Sequence, residues 1–150
     1  MEKYTVGGAI HIKVSGEFMD ADIDLTRISQ NVAKAQRALD IAVMTSMEGV
    51  MPRQTGQFIQ LTKARSAAMA GSGRVMAAAP PFGRFLYYGK VMIDPLTGSM
   101  WARRGSKKVA TDRNLKFWYP KARPRWFEVA KTAYLPQWID TVRKKLNERK

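Results

Sequence analysis

Apolar side chains recur at intervals of three and four residues from about residue 25 to residue 48, and this spacing constrains the fold more than any other feature. The positions that share it are Ile28, Val32, Ala35, Leu39, Val43 and Met47. Because an α-helix has 3.6 residues per turn, these side chains fall on one face of a single helix. Asp20, Asp22 and Asp24 precede it and are predicted to cap its start, where acidic groups favour the positive end of the helix dipole. At ~1.5 Å per residue the helix is about 35 Å long, so we expect it to cross the whole domain.

A second stretch with helical spacing lies near the C-terminus. Its apolar positions are Phe127, Ala130, Tyr134, Trp138, Val142 and Leu146. Pro136 lies inside this stretch and removes one backbone hydrogen bond. The helix is therefore expected to kink near Ala133 or to consist of two helices that meet at Leu135. Trp126 and Trp138 lie on its apolar face and are predicted to be in the core.

Strand-forming residues, glycines and prolines dominate outside the two helices and predict a sheet with long connections. The predicted strands lie ahead of the first helix at 9–14, and after it at 58–61, 74–77, 91–93, 99–101 and 109–111. Asp94, Pro95 and Gly98 predict a hairpin loop built on a type I turn, with Gly98 in the left-handed conformation. A chain of 150 residues has the ordinary size of one domain. We therefore predict a single α+β domain over residues 1–150, in which a mainly antiparallel sheet packs against both helices.

The net charge of +14 is unevenly distributed along the chain. Residues 1–50 hold five basic and seven acidic side chains, so residues 51–150 carry an excess of 16 positive charges. The densest part, interrupted only by Asp112, is a group that we call the nine basic residues: Arg103, Arg104, Lys107, Lys108, Arg113, Lys116, Lys121, Arg123 and Arg125. A field of this sign attracts phosphate backbones or acidic protein faces. Residues 94–118 are predicted to form an extended basic hairpin or loop arm, with a mobile tip at 103–108.

The side chains that most enzymes and metal sites need are scarce. The chain has no cysteine and one histidine, His11, which excludes disulfides, thiolate metal sites and every two-histidine site. The aspartates at 20, 22 and 24 lack the glycine and glutamate that complete an EF-hand loop. We therefore expect no catalytic, cofactor-binding or metal-binding residues. No apolar stretch approaches the ~20 residues of a membrane span, so the chain is predicted to be soluble and to have no membrane partner.

Trp101 and Trp118 lie beside Arg103 and Lys116, a pattern with two interpretations. Proteins that bind single-stranded nucleic acid combine aromatic stacking platforms with cationic grooves. The interpretation that we favour is that both tryptophans are buried or lie at an interface, and stacking on bases is the alternative.

One block of sequence resembles a known family. Residues 85–98 read FLYYGKVMIDPLTG, and Trp101-Ala102-Arg103, Lys107-Lys108-Val109 and a helix with WFEVAK at 126–131 follow. This combination resembles the minor capsid protein family of long-tailed phages and prophages of Gram-positive bacteria. It resembles more loosely the tail-completion, or neck, family that joins head to tail. The matching motif positions are Thr55, Gly56, Tyr87, Tyr88, Gly89, Pro95, Gly98, Pro124, Trp126 and Phe127.

In the family pattern a Thr-Gly pair precedes the first strand of the sheet, a tyrosine-rich turn ends in glycine, and an Arg-Pro or Pro-Arg-aromatic sequence opens the last helix. The likeness covers about residues 26–148. It departs from the wider family at Tyr88, where an acidic residue is common, and in a longer insertion at 94–116.

The resemblance implies a structural virion protein of the phage neck with no enzymatic activity and no cofactor. Copies would form a ring around the DNA channel after synthesis in the host cytoplasm. The implied partners are connector or head-completion proteins and tail terminator or tail tube proteins. The basic residues of the arm would face either a neighbouring protein or, non-specifically, the double-stranded DNA of the channel. Two alternatives remain open at this point, a small basic nucleic-acid-binding protein and a toxin-type ribonuclease.

Overall fold

The structure is a computed structural model that describes residues 25–148 in full and the backbone of three strands at residues 2–6, 9–15 and 20–24. In chain order the elements are β1 (Glu2–Val6), β2 (Ala9–Ser15), β3 (Asp20–Asp24), α1 (Leu25–Glu48), α2 (Gln57–Ala68), α3 (Gly83–Tyr88), β4 (Lys90–Ile93), β5 (Val109–Asn114) and α4 (Trp126–Leu146). Helices α1 and α4 pack against each other, and the strands form two antiparallel sheets. The predicted α+β class is confirmed.

The core lies between α1 and α4. Helix α1 has the bounds that the apolar spacing predicts. The buried cluster consists of Val43, Met44, Met47, Met51, Ile59, Trp126, Ala130 and Trp138, which confirms that Trp126 and Trp138 are core residues. Ile28 and Val32 are 48% and 51% exposed, so the buried face of α1 begins at Ala35 rather than at its first turn.

Helix α4 continues without interruption through Pro136. The expectation of two helices that meet at Leu135 is therefore wrong. Leu135, Pro136 and Thr132 are all exposed. Proline leaves the carbonyl four residues earlier without its usual partner, and water can bond to that carbonyl on the exposed side of the helix. The helix thus tolerates the proline because the lost hydrogen bond lies on its solvated face.

The predicted strands at 58–61 and 74–77 are wrong. Residues 58–61 lie within α2, and residues 74–77 form no strand. Short segments of mostly apolar residues fit a helix as well as a strand, and periodicity alone does not separate the two. The buried residues of α2 recur at helical spacing and are Ile59, Thr62 and Ser66.

Two hydroxyl groups of α2 provide the hydrogen bonds that a neighbouring strand would have given to residues 76–79. Ser66 Oγ donates to the carbonyl of Met76 and accepts its N–H, each at 3.0 Å. The N–H of Ala79 donates to Thr62 Oγ1 at 3.3 Å. Because these polar groups are satisfied, the segment lies against α2 without joining a sheet.

The N-terminal sheet has the order β1-β2-β3, all antiparallel, so β3 is an edge strand. Strand β2 confirms the strand predicted at 9–14 and lies beside α1. Asp20, Asp22 and Asp24 form β3 and pair with β2, and Asp24 directly precedes the first residue of α1. Their side chains lie outside the described residues, so the capping of α1 stays a prediction. The side chain of His11 lies outside the described residues.

The arm, residues 94–118, begins with the predicted turn and then continues differently. The N–H of Gly98 donates to the carbonyl of Asp94 at 2.9 Å, and the N–H of Asp94 donates to the carbonyl of Ser99 at 2.8 Å. Gly98 is left-handed, with φ +68°. However, residues 99–101 form no strand, and β4 pairs instead with β5. The arm is therefore a turn and a loop at 94–108, followed by β5 and the segment 115–118.

Candidate functional site

Two distant parts of the chain that carry the family motif meet at one junction, where the arm is attached to the core. Gly89 ends α3 with φ +61°, and its carbonyl accepts the N–H of Leu115 at 2.8 Å. The N–H of Arg125 donates to the carbonyl of Tyr87 at 2.7 Å. A Cβ atom added to Gly89 would lie 2.8 Å from Pro124 Cβ, so only glycine fits. We call this group the motif junction: Tyr87, Gly89, Pro124, Arg125 and Trp126.

Tyr87 and Trp126 hold the motif junction to the core. Their rings meet edge-on with centroids 4.9 Å apart. Trp126 is fully buried, and its Nε1–H donates to the carbonyl of Ala77 at 2.8 Å. The hydroxyl of Tyr87 donates to Glu128 Oε2 at 2.6 Å. Burial and then this hydrogen bond raise the pKa of Tyr87 well above its usual value, so the hydroxyl stays protonated and acts as a structural donor.

Thr55 and Gly56 depart from the family pattern. Gly56 is the N-cap of α2, with φ +81°, so the expectation that this pair precedes a strand is wrong. A left-handed residue at this position favours glycine because it has no Cβ. The pair therefore starts a helix that lines the site described below.

The other motif positions lie at the arm and in the core. Phe127 stacks on Trp138 with centroids 6.3 Å apart. Tyr88 is about half exposed, and its ring contacts Tyr87. Pro95 and Gly98 belong to the turn that opens the arm. Phe127 therefore contributes to the packing of α4, while Pro95 and Gly98 form the start of the arm.

Asp94 and Arg103 form an ion pair at the base of the arm. Asp94 is fully buried, and its carboxylate accepts Arg103 Nε–H at 3.0 Å. It also accepts the N–H of Leu96 at 2.9 Å and that of Arg103 at 3.1 Å. The Arg103 side chain, followed by these two backbone groups, holds the pKa of Asp94 well below its usual range. Asp94 was not among the predicted site residues, although an aspartate before proline often bonds to backbone two residues later.

The nine basic residues fall into two groups. Three of them are engaged within the chain through their side chains: Arg103, Lys108 and Arg123. The other six are exposed, and the described residues give their side chains no ion pair or hydrogen bond: Arg104, Lys107, Arg113, Lys116, Lys121 and Arg125. The second group is therefore available to a partner. The mobility expected of residues 103–108 stays a prediction, but Arg103 itself is anchored.

A groove of about 710 Å³ separates the arm from α3 and the start of α2. Phe82, Trp101 and Trp118 line it and are 64%, 85% and 87% exposed. The expectation that Trp101 and Trp118 are buried within the chain is therefore wrong, while a role at an interface or in stacking stays a prediction. Large exposed apolar side chains in one patch are typical of interaction sites.

The groove is cationic as well as apolar. Four basic residues line it: Arg53, Lys90, Lys108 and Lys116. No acidic residue in the described part of the chain lines it. Neutral groups hold two of these cations in place. Lys90 Nζ donates to Asn114 Oδ1 at 2.8 Å, and Lys108 Nζ lies 4.9 Å from the centroid of the Phe85 ring. The groove therefore suits a ligand with both apolar and anionic groups. The sequence did not single out Phe82, Arg53 or Lys90, which only the fold brings beside the arm.

Neither metal ligands, membrane-spanning helices nor similar proteins point to a function for the described residues. Within the described residues, no three histidine, cysteine, aspartate or glutamate side chains are grouped to hold a metal ion. No helix in the same part of the chain is long and apolar enough to cross a membrane. Comparison with family models, with curated proteins and with solved structures finds no match for this chain. Its function must therefore be inferred from its own residues.

Proposed function

We propose that the chain is a structural protein of a phage virion neck, where copies form a ring around the DNA channel and join the head to the tail. The motif junction is the observation that carries this proposal. Tyr87 and Gly89 meet Pro124, Arg125 and Trp126, and the contact attaches the arm to a helical core. The resemblance to the minor capsid and tail-completion families depends on these residues, so the motif has a physical role in this chain.

The division of the chain into body and arm supports a ring subunit. A ring subunit needs a rigid body and an extended part that reaches its neighbour. Helices α1 and α4 supply the body, and the arm carries Trp101 and Trp118 in exposed positions. In a closed ring each contact joins one surface of a copy to a different surface of the next copy. The groove and the arm provide apolar surface for such contacts.

The available cations support a position beside a polyanion or an acidic protein. Arg104 and Lys107 are exposed near the end of the loop and outside the groove. In a neck ring they would meet the DNA that passes through the channel or an acidic face of a connector, head-completion, tail terminator or tail tube protein. Both contacts are electrostatic and weaken with salt.

The test is a charge reversal in the phage or prophage that encodes the chain. We expect Arg104→Glu combined with Lys107→Glu to yield filled heads and separate tails in electron micrographs, with a loss of most plaques. Lys131→Glu combined with Lys144→Glu changes the net charge equally on exposed positions of α4 and serves as the control. Normal plaque numbers from the arm variant, or purified virions without the chain, would contradict the proposal.

The exposed tryptophans favour one second candidate, a protein that binds single-stranded nucleic acid. Trp118 is 87% exposed and lies two residues from Lys116, which has no partner among the described residues. Stacking of a base on such a ring contributes about 1–3 kcal/mol. This candidate predicts that an oligonucleotide binds with a salt slope of about −0.7 per phosphate contacted and that Trp118→Ala weakens binding. A neck protein should bind the oligonucleotide weakly and without dependence on Trp118.

A further inference from the structure

The groove holds positive charges that nothing in the described chain neutralises. The ion pairs within that part of the chain do not include Arg53, Lys90, Lys108 or Lys116. Arg53 lies over the Tyr119 ring at 4.5 Å, so a neutral group holds it as well. Cations fixed beside exposed aromatic rings cost less to order when an anion arrives, because their positions are already set. The groove therefore suits a ligand that combines anionic groups with apolar ones.

One segment of the chain has this composition. Strand β3 reads DADID, so Asp20, Asp22 and Asp24 alternate with Ala21 and Ile23. It holds three of the 12 acidic residues of the whole chain. It is also an edge strand, bonded to β2 on one side only. An edge strand offers a row of backbone groups to another chain, and addition of an extended segment to a neighbour is a common mode of recognition.

Within one copy β3 lies far from the groove. The strand ends at Asp24, immediately before the first residue of α1, and Pro52 and Arg53 of the groove follow the last turn of that helix. A helix of this length separates its ends by about 35 Å at ~1.5 Å per residue. The groove can therefore receive β3 only from a different copy.

We propose that β3 of a second copy docks in the groove, with its carboxylates on Lys108, Lys116 and Arg53 and its apolar residues against the exposed aromatic rings. The donor strand and the acceptor groove are different surfaces at opposite ends of α1, so the contact is head-to-tail. Repeated contacts of this type close into a ring or continue as a filament. The proposed contact names the segment of the neighbouring copy that fills the groove. Its place in a ring rests on the proposed function.

The test uses two complementary variants of the full chain and measures mass by light scattering at rising protein concentration. The donor variant is Asp20→Lys with Asp22→Lys and Asp24→Lys, and the acceptor variant is Lys108→Glu with Lys116→Glu. We expect the wild-type chain to self-associate and each variant alone to associate roughly tenfold or more weakly. A mixture of the two should associate again, because the intact groove of one partner receives the intact strand of the other and the two reversed surfaces are again opposite in charge.

Lys131→Glu with Lys144→Glu is the matched control and should associate like the wild-type chain. A wild-type chain that stays monomeric at millimolar concentration overturns the inference, as does a mixture that does not associate. Loss of oligonucleotide binding in the acceptor variant with unchanged self-association also overturns it, in favour of nucleic acid as the occupant. None of these results depends on head-to-tail joining in the phage, so failure here and failure of the proposed function remain distinguishable.

A crosslinking experiment keeps the inference testable if the charge variants do not fold. The chain has no cysteine, so single cysteines can be placed at will. Asp22→Cys on one copy and Lys116→Cys on a differently tagged copy should give a mixed dimer with a short bismaleimide. Replacing Lys116→Cys by Lys144→Cys should abolish the crosslinked mixed dimer. Equal yields from both pairs would overturn the proposed contact.

Discussion

The carboxylate of Asp94 is completely buried and accepts the Nε–H of Arg103 at 3.0 Å across nine positions of the arm. The turn that contains Pro95 and Gly98 lies between these two residues. The loop that carries Arg104 and Lys107 therefore leaves the body of the protein from a fixed point. In the proposed ring, this ion pair would fix the position from which the loop reaches a neighbour or DNA.

Asp94→Asn should loosen the loop at 94–108. The amide carries no charge and presents one acceptor oxygen, so it cannot receive all the hydrogen bonds that Arg103 and Leu96 donate. We expect trypsin to cleave after Arg103, Arg104 and Lys107 faster in the variant than in the wild-type chain. Asp112→Asn, at an exposed position of β5, is the control. Equal cleavage rates in the two variants would contradict the role of Asp94.

The same ion pair predicts a dependence of stability on pH. Arg103 and the backbone groups lower the pKa of folded Asp94 below the value of about 3.9 for an unfolded aspartate. A lowered pKa stabilises the folded state above the unfolded pKa, and this contribution is lost as the pH falls through the folded pKa. The wild-type chain should therefore be more stable to urea than Asp94→Asn at neutral pH, and the difference should shrink below about pH 4. A difference that stays constant into strong acid would mean that the carboxylate charge is irrelevant.

Tyr87→Phe should destabilise the motif junction by about 1 kcal/mol, because the hydrogen bond to the exposed carboxylate of Glu128 is lost. The ring contact with Trp126 stays in place. Urea unfolding measures the change, and Tyr134→Phe on the exposed side of α4 should leave the free energy of unfolding within about 0.5 kcal/mol of the wild-type value. A similar loss in both variants would argue against a specific role for the Tyr87 hydroxyl.

Gly89→Ala should destabilise the chain more than Gly98→Ala. Both glycines are left-handed, and this conformation costs an alanine about 1–2 kcal/mol. At Gly89 the added methyl group would also lie 2.8 Å from Pro124, whereas Gly98 has open space around it. We expect thermal unfolding to place Gly89→Ala clearly below Gly98→Ala. The reverse order would mean that Pro124 does not approach α3 as described.

Trp126 and Trp118 should behave as a core residue and a surface residue. Trp126→Ala removes a fully buried ring and its hydrogen bond to Ala77, which should cost about 3–5 kcal/mol. Trp118→Ala should change the free energy of unfolding by less than about 0.5 kcal/mol and should instead weaken self-association. A large loss of stability at Trp118 would show that this ring packs within the chain.

The two long helices could be predicted from the sequence because each repeats its apolar spacing over most of its length. A pattern of that length has no alternative period that buries the same side chains. The turn at Asp94 and Gly98 was also predictable, since proline and glycine act through their own backbone angles. In these parts of the chain the local structure is determined by residues that are close together in the sequence.

The motif junction, the α2 helix and the groove depend on contacts that no local pattern contains. Residues 58–61 have the composition of a strand, but Ile59 packs against the core and Thr62 reaches Ala79, so a helix forms. Tyr87 bonds to Glu128, which lies 41 positions away. Local spacing reports only which side chains one element can bury. Their partners are chosen when the elements pack, because the hydrogen bonds and apolar surfaces of distant segments must be satisfied together.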